Sequence, residues 1–302
     1  MARHHFHPTR YHNTLGTAEP CLRLADGDTL VTDTVDASGL DATETAVASR
    51  PNPMTGPFFI EGAEPGDTLA VEIIRLTPNR RTGWTYSPLA LTVLDPAAIL
   101  TRPKQERAIW EINANEGTVR LQDTPAGLEG FAPPLAPMIG CFGVAPAGGE
   151  AISTATSGPH GGNMDYRIFA PGTTAWFPVS VPGALFYLGD GHACQGDGEI
   201  TGTGIETSFE MEVRLSVLKR RITWPRAETA EDIITIGNAR PLDQALQHAT
   251  TEMLRWLDED YGLDARAASH LMGMVVRYDV GNVFNPAYTV ACRVAKKWLK
   301  RG

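Results

Sequence analysis

The pattern of hydrophobic and polar residues changes its period near residue 240. Between residues 209 and 217, apolar residues occupy the odd positions, whereas Glu210, Glu212 and Arg214 occupy even ones. A similar alternation covers residues 69–74, directly after the turn EPGDT. Alternation with a period of two predicts strands that are buried on one face. We therefore expect the odd positions of the 209–217 strand to face the core, with Glu210 and Glu212 solvated.

After residue 240 the apolar residues recur with the period of a helix. They would share one face of a helix that starts near Pro241, and Gly262 is placed to end that helix. Asp264 is placed to cap a second helix that runs to Val275. The apolar residues on the first helical face are Leu242, Ala245, Leu246, Ala249, Met253 and Leu257.

The order of these elements, strands first and helices last, predicts the fold class. We expect a mainly β protein of the α+β type, β-sandwich-like, with a C-terminal helical segment. The chain shows no alternation of strands with helices, which argues against Rossmann and barrel folds. We predict a single domain over residues 1–302, rich in strands from 12 to 225 and with a helical tail over 241–300. The histidine-rich start, MARHHFHPTRYHN, is predicted to be a flexible leading segment.

Composition narrows the classes of function. The 302 residues carry a net charge of −9, which argues against nucleic-acid binding, since that requires a basic face. No apolar run approaches the ~18 residues of a membrane span, and the N-terminus lacks the apolar part of a signal peptide. The four cysteines are far apart and form no CxxC pair. This spacing is typical of reduced thiols, and we expect a cytoplasmic protein.

Candidate chemistry is concentrated in residues 185–206, LFYLGDGHACQGDGEITGTGIE. Six glycines there surround Asp190, His192, Asp197 and Glu199, with Glu206 just beyond. A chain uses many glycines where it turns tightly or approaches another group closely. Carboxylates and an imidazole between such turns suit a divalent metal ion. The same residue types are also common in surface turns, so both readings stay open at this point.

A second glycine-rich stretch, GPHGGNMDYR over residues 158–167, contains His160, Asn163 and Asp165. Together the two stretches resemble the acetamidase/formamidase family, whose members carry close versions of HGGNMD and GDGHxxQGDGE. The segments NPMTGPFFIEGAEPGDTLAVEI and PLAPMIGCFGVAP and the tail after residue 241 extend the resemblance over most of the chain. The resemblance implies hydrolysis of short linear amides such as formamide or acetamide to ammonia and the acid. The expected partners are this small amide and further copies of the chain in a homo-oligomer.

Three residues are the predicted metal ligands. Asp190 and His192 are two apart, so on an extended segment their side chains project from the same face. Asp165 would supply a third ligand from the other stretch. Three protein ligands leave a position for water, whose pKa a bound divalent ion lowers from ~15.7 toward ~7. Zinc is the expected ion because calcium rarely takes imidazole, but a homologue that holds a structural calcium and does not hydrolyse amides stays an alternative.

The remaining polar residues of the two stretches are expected to act on the proton, on the His192 ring or on the substrate carbonyl. Glu199 is the predicted general base, which would accept a proton from the water and deliver it to the leaving amine. Asp197 is predicted to orient the ring of His192 from behind. Asn163 suits polarisation of the substrate carbonyl, and His160 is either a fourth ligand or an oxyanion donor.

Two further residues are predicted to contact the substrate. Glu61 belongs to one of the family motifs, and Cys194 lies inside another. Cys194 as a nucleophile is disfavoured because Lys104 and Lys219 are remote in sequence, which leaves a small buried thiol as the alternative. GDGEITGTG lacks the strand, helix and lysine of a phosphate-binding loop. A sugar-acting enzyme with paired carboxylates would need aromatic platforms, and Tyr166 is the one Tyr or Trp inside the two motifs.

Overall fold

A computed structural model describes residues 1–99 and 103–300, and the last two residues of the predicted domain lie outside this range. The strands of the described residues, in chain order, are β1 (Arg3–Phe6), β2 (Thr14–Leu15), β3 (Leu22–Leu24), β4 (Thr29–Thr34), β5 (Thr55–Ile60), β6 (Thr68–Pro78), β7 (Thr82–Ser87), β8 (Glu106–Asn113), β9 (Thr118–Leu121), β10 (Met138–Val144), β11 (Ile152–Ser153), β12 (Ser157–Gly158), β13 (Gly161–Asn163), β14 (Thr174–Pro178), β15 (Phe186–His192), β16 (Glu206–Thr207), β17 (Phe209–Leu218), β18 (Arg226–Glu228), β19 (Asp232–Ala239), β20 (Arg277–Asn282) and β21 (Tyr288–Ala295). The helices are α1 (Pro96–Ile99), α2 (Leu242–Tyr261) and α3 (Ala265–Val275), with 3₁₀ turns at Leu91–Val93, Ala147–Gly149 and Lys296–Trp298.

Two large sheets organise these strands. The first has nine strands in the order β1-β4-β17-β6-β14-β18-β19-β21-β20. The second has ten strands, eight of them in the order β12-β13-β10-β15-β16-β7-β8-β9, with β5 pairing β15 and β3 pairing β5. A small third sheet joins β11 to β2. The mainly β, sandwich-like fold class is confirmed, and neither sheet of the described residues closes into a barrel.

The main hydrophobic core contains residues from both large sheets. Phe142 of β10 and Phe186 of β15 come from the ten-stranded sheet, whereas Leu69 of β6 and Met211 of β17 come from the nine-stranded sheet. All four side chains are fully buried, which is the arrangement of two sheets packed face to face. Burial of this shared apolar surface is the main term that stabilises the sandwich.

Helices α2 and α3 cover part of the outer face of the nine-stranded sheet. Along β19, Ile234 and Ile236 belong to the core between the sheets, whereas Ile233 packs in a second core with Trp256 of α2. The strand is therefore buried on both faces. The predicted helix ends are confirmed: Gly262 adopts a left-handed C-cap, and the Asp264 side chain accepts a hydrogen bond from the backbone of α3.

Two predictions about the ends of the chain are wrong. The helical tail predicted over 241–300 is helical only as far as the end of α3. The strands β20 and β21 follow and form one edge of the nine-stranded sheet. The apolar, partly β-branched sequence YTVACRVA of β21 favours a strand. The leading segment is also ordered, because β1 pairs in parallel with β4. Its His4 and His7 each bond to a separate carboxylate, at 2.8 Å and 3.1 Å.

Strand β17 confirms the buried face of its prediction, and on the outer face Glu210 is 41% exposed as predicted, whereas Glu212 is not solvated. Phe209, Met211, Val213 and Leu215 are fully buried. Glu212, expected to be solvated, has a side chain that is 13% exposed and accepts hydrogen bonds from two arginines, Arg3 and Arg75.

Among the described residues, no helix combines the length and the apolar character that crossing a membrane requires.

Candidate metal centre

The two glycine-rich stretches meet at one end of strands β10, β13 and β15. Atoms of Asp165, Asp190 and His192 that can bind a metal lie within 4.8 Å of one another, and all three residues are buried. Strand β10 runs between β13 and β15 and presents Gly140 to this cluster. A Cβ atom on Gly140 would stand 2.4 Å from Asp165 Oδ1 and 3.0 Å from Asp190 Oδ2. Only glycine leaves room for the two carboxylates here.

Two glutamates complete the cluster. Atoms of His192, Glu199 and Glu206 also lie within 4.8 Å of one another. Glu206 lies on β16 directly opposite His192 on β15, and its Oε1 is 3.0 Å from His192 Nε2. Asp190 Oδ1 is 3.6 Å from the same nitrogen. Sequence reasoning gave Glu206 no role, because the signal that places it here is the pairing of β15 with β16.

Two asparagines hold the outer oxygens of the aspartates. Asn285 Nδ2 donates to Asp165 Oδ2 at 2.7 Å, and Asn52 Nδ2 donates to Asp190 Oδ2 at 2.9 Å. Asn52 also donates to the side-chain oxygen of Asn163, at 3.1 Å. Each aspartate therefore keeps its Oδ1 free. Neither asparagine was predicted as a site residue, although Asn52 is the first residue of the family motif that contains Glu61.

Gln195 determines which nitrogen of His192 faces the carboxylates. Its Nε2 donates to the carbonyl of Asp165 at 2.6 Å, which identifies its Oε1 as the acceptor for His192 Nδ1 at 2.7 Å. His192 therefore carries a proton on Nδ1 and presents Nε2 to the acids. The orienting role predicted for Asp197 is wrong, because Asp197 is half exposed and pairs with Arg167.

The backbone around the cluster is strained. Asn52, Asp165, Asp190 and Glu199 have φ angles of 40°, 42°, 55° and 47°. Non-glycine residues rarely adopt this left-handed region, at a cost of about 1–3 kcal/mol each. Four such residues around one point indicate that the fold holds these side chains at the expense of stability.

Burial perturbs the acids strongly. Burial and the nearby Asp190 carboxylate raise the pKa of Asp165 to about 6, and burial raises the pKa of Glu206 to about 8. Burial and Asp165 also raise the pKa of Glu199 well above its usual value. For His192, burial lowers the pKa, but the carboxylates of Glu206 and Asp190 outweigh it and raise the pKa well above its ordinary range. Ionising several buried carboxyl groups this close together is costly, and a bound cation would reduce that cost.

The cluster has two features expected of a divalent-cation site: buried atoms without hydrogen-bond partners and a suitable set of ligand atoms. Among the residues that the structure describes, eleven buried side-chain atoms have no hydrogen-bond partner, and five of them belong to the five residues grouped above: Asp165 Oδ1, Asp190 Oδ1, His192 Nε2, Glu199 Oε2 and Glu206 Oε2. Buried polar atoms are nearly always paired, so orphans of this kind need an explanation. A nitrogen with several carboxylate oxygens is a ligand set that zinc accepts. Because His192 offers only Nε2, the two overlapping groups describe one site.

The centre opens into a cavity of about 250 Å³. Asn163, Asp190, Glu199 and Glu206 are among the polar residues that line it. Three aromatic residues, Trp84, Tyr86 and Phe284, also line it, together with Arg50. This mixed lining suits a small molecule that carries both polar and apolar groups.

Three residues predicted for the site lie elsewhere. His160 is buried with its ring against Gly158 and Gly162, it is not among the residues that line the cavity, and burial lowers its pKa to about 4. Glu61 is exposed and pairs with Arg23 at the opposite end of β15 from His192. Cys194 packs against an apolar cluster around Trp110 and does not line the cavity; burial raises the pKa of its thiol.

Fold and site together define a two-sheet β protein with a buried centre of four carboxylates and one imidazole. The sequence profile of the Acetamidase/Formamidase family matches residues 3–149 and 146–268. The chain belongs to this family.

Individual relatives agree with this assignment. An acetamidase of Mycolicibacterium smegmatis is 30% identical over 240 residues, 63% of this chain and 59% of that protein. A formamidase of Methylophilus methylotrophus is 24% identical over 292 residues, 82% of this chain and 66% of that protein. The chain thus spans about three fifths to two thirds of the length of these relatives. The crystal structure of an acetamidase from Yersinia enterocolitica superposes with a TM-score of 0.88 at 32% identity, covering 99% of this chain and 93% of that one.

Proposed function

We propose that this protein hydrolyses short linear carboxamides of the formamide and acetamide kind to ammonia and the carboxylic acid. Membership of the family, whose relatives are named acetamidase and formamidase, supports amide hydrolysis. The observation that carries a metal-dependent route is the set of five orphaned buried atoms that converge beside the cavity.

The residues that would hold the ion are Asp165, Asp190 and His192, with Glu206 beside them. The separations of 3.0 Å and 3.6 Å between His192 Nε2 and its two neighbouring oxygens are close to the ~3–3.5 Å that separates adjacent ligands of one zinc ion. Zinc is proposed because Gln195 fixes His192 in the tautomer that can ligate through Nε2. A bound divalent ion would supply Lewis acidity, lowering the pKa of a water molecule toward ~7.

The chain's own residues would handle the proton and the carbonyl. Glu199 lines the cavity and has a raised pKa, which suits a base that accepts a proton from the attacking water and returns it to the leaving amine. The Asn163 oxygen accepts from Asn52, which leaves the Asn163 amide NH₂ to donate to the substrate carbonyl. Asn285 and Asn52 would hold Oδ2 of Asp165 and of Asp190, so that each Oδ1 faces the centre.

A matched pair of substitutions tests this proposal. Asp190→Asn removes a charge from the centre, whereas Asp197→Asn removes one from an exposed residue of the same segment. Ammonia release from formamide and acetamide should fall by at least about two orders of magnitude in Asp190→Asn and stay near wild type in Asp197→Asn. Equal activity in the two variants would refute the site. A calcium-loaded protein without activity would favour the structural-calcium alternative.

We also infer a cytoplasmic homo-oligomer, as expected from the cysteine spacing and the resemblance. Gel filtration with light scattering tests the oligomeric state. Cell fractionation tests the location.

A further inference from the structure

Phe284 is a large apolar side chain held at the mouth of the cavity. It is 44% exposed, and its neighbours on both sides are bound to the centre. The Val283 amide donates to the Gly198 carbonyl at 2.9 Å, beside Glu199. Asn285 donates to Asp165 at 2.7 Å. The backbone on both sides of Phe284 is therefore held close to the acids.

The ring also packs tightly against Gly202, in the segment that carries Glu199. A Cβ atom on Gly202 would stand 2.7 Å from the ring, and the Gly202 φ of +77° independently favours glycine. An exposed phenylalanine on a free loop would not pack in this way. Large apolar side chains that are exposed at a cavity mouth often contact a ligand.

Strand β7 supplies two further rings to the same cavity. Trp84 and Tyr86 are alternate residues, so they project from one face of the strand, and their ring centroids are 5.2 Å apart. The Trp84 Nε1 donates to the buried Asp36 at 3.0 Å, and the guanidinium of Arg107 lies 3.8 Å from the ring centroid. Arg50 donates to the Tyr86 hydroxyl at 3.1 Å. These contacts hold the two rings in place.

We propose that Phe284, Trp84 and Tyr86 form an acyl-chain subsite that gives the protein a preference for amides with an apolar acyl group over formamide. This proposal rests on the proposed amide hydrolysis and specifies its substrate. With the carboxamide held at the acids and Asn163, the acyl group would occupy the rest of the cavity, which the three rings line. Formamide carries only hydrogen there and would leave the rings in contact with water. The cavity volume of about 250 Å³ limits the acyl group to a short chain.

The test compares formamide, acetamide, propionamide and butyramide in wild type, Phe284→Ala and Phe131→Ala. Phe131 is the matched control, because it is similarly exposed (47%) but contacts Trp110 and does not line the cavity. In wild type, kcat/KM should rise about fourfold for each carbon from formamide to propionamide. Phe284→Ala should lower the ratio of propionamide to formamide by about fourfold or more. Phe131→Ala should leave this ratio unchanged, and Phe284→Leu, which keeps an apolar side chain, should retain most of it.

An unchanged ratio in Phe284→Ala, or a wild-type preference for formamide, would overturn the subsite. If wild type released ammonia from none of the amides, the proposed function would fail. Calorimetric binding of butyramide and formamide would then test the subsite separately. Tighter binding of butyramide in wild type but not in Phe284→Ala would support it, and equal binding of the two amides in wild type would overturn it.

Discussion

At the scale of single residues, the centre depends on amide side chains that select one atom of each ionisable group. Asn52 and Asn285 each hold the outer oxygen of an aspartate, and Gln195 holds Nδ1 of His192. The inner atoms are left without partners and point toward one another. Of this set, Asp165, Asp190 and His192 were predictable from their glycine-rich context, whereas the amides required tertiary contacts.

Glu199→Gln separates catalysis from structure. Glutamine keeps the shape of the side chain but cannot accept a proton, so turnover of acetamide should fall by roughly two to four orders of magnitude. Metal content and melting temperature should stay near wild type, since the ligands are unchanged. Full turnover in this variant would remove Glu199 from the mechanism, and loss of metal would move it to the ligand set.

Gln195→Leu tests the orientation of His192. Without the acceptor at Nδ1, the imidazole is free to change its tautomer, and affinity for zinc should fall about 10–100-fold. Competition with a chromophoric chelator measures this affinity. Gln244→Leu, on the exposed side of α2, is the control and should bind zinc normally. Equal affinities in the two variants would show that the bond to Gln195 does not matter.

At the scale of elements, the sequence predicted the features that depend on neighbouring residues, namely the alternation within a strand and the caps of the helices. The alternation in β17 and the caps of α2 and α3 are confirmed, because residues close together in the sequence determine each of them. Strand β21 was not predicted, because it packs against one hydrophobic core on each face. Its sequence therefore shows no regular alternation of apolar and polar residues. Glu206 was missed because its position depends on which strand pairs with β15.

Strand β17 gives a stability test with two substitutions. Val213→Asp places an unpaired charge in the core and should lower the free energy of unfolding by more than ~3 kcal/mol. Glu212→Lys replaces the carboxylate that binds Arg3 and Arg75 with a third cation and should cost ~1 kcal/mol. Urea unfolding measures both. Equal losses would show that the two faces of the strand are assigned wrongly.

At the scale of the whole molecule, the buried acids couple stability to pH. In the absence of metal, burial raises the pKa of Asp165 to about 6 and that of Glu206 to about 8, above the ~4 of the unfolded chain. The folded state then binds more protons between these values, so its stability should fall as pH rises from ~4 to ~8. The raised pKa of His192 acts in the same direction.

Urea midpoints from pH 4 to pH 8 in the presence of chelator measure this slope. Saturating zinc should raise the midpoints near pH 8 most, because a cation stabilises the ionised carboxylates. Stability that rises with pH in chelator would contradict the assigned pKa directions.

Titration of the chelated protein with zinc, followed by ammonia release from acetamide, tests the metal-dependent amidase most directly. Activity should be absent without the ion, rise in proportion to added zinc and reach its plateau at one equivalent per chain, since His192 offers one nitrogen to one site. His192→Ala should neither bind the ion nor recover activity under the same conditions. Full activity in the chelated wild-type protein would contradict the account.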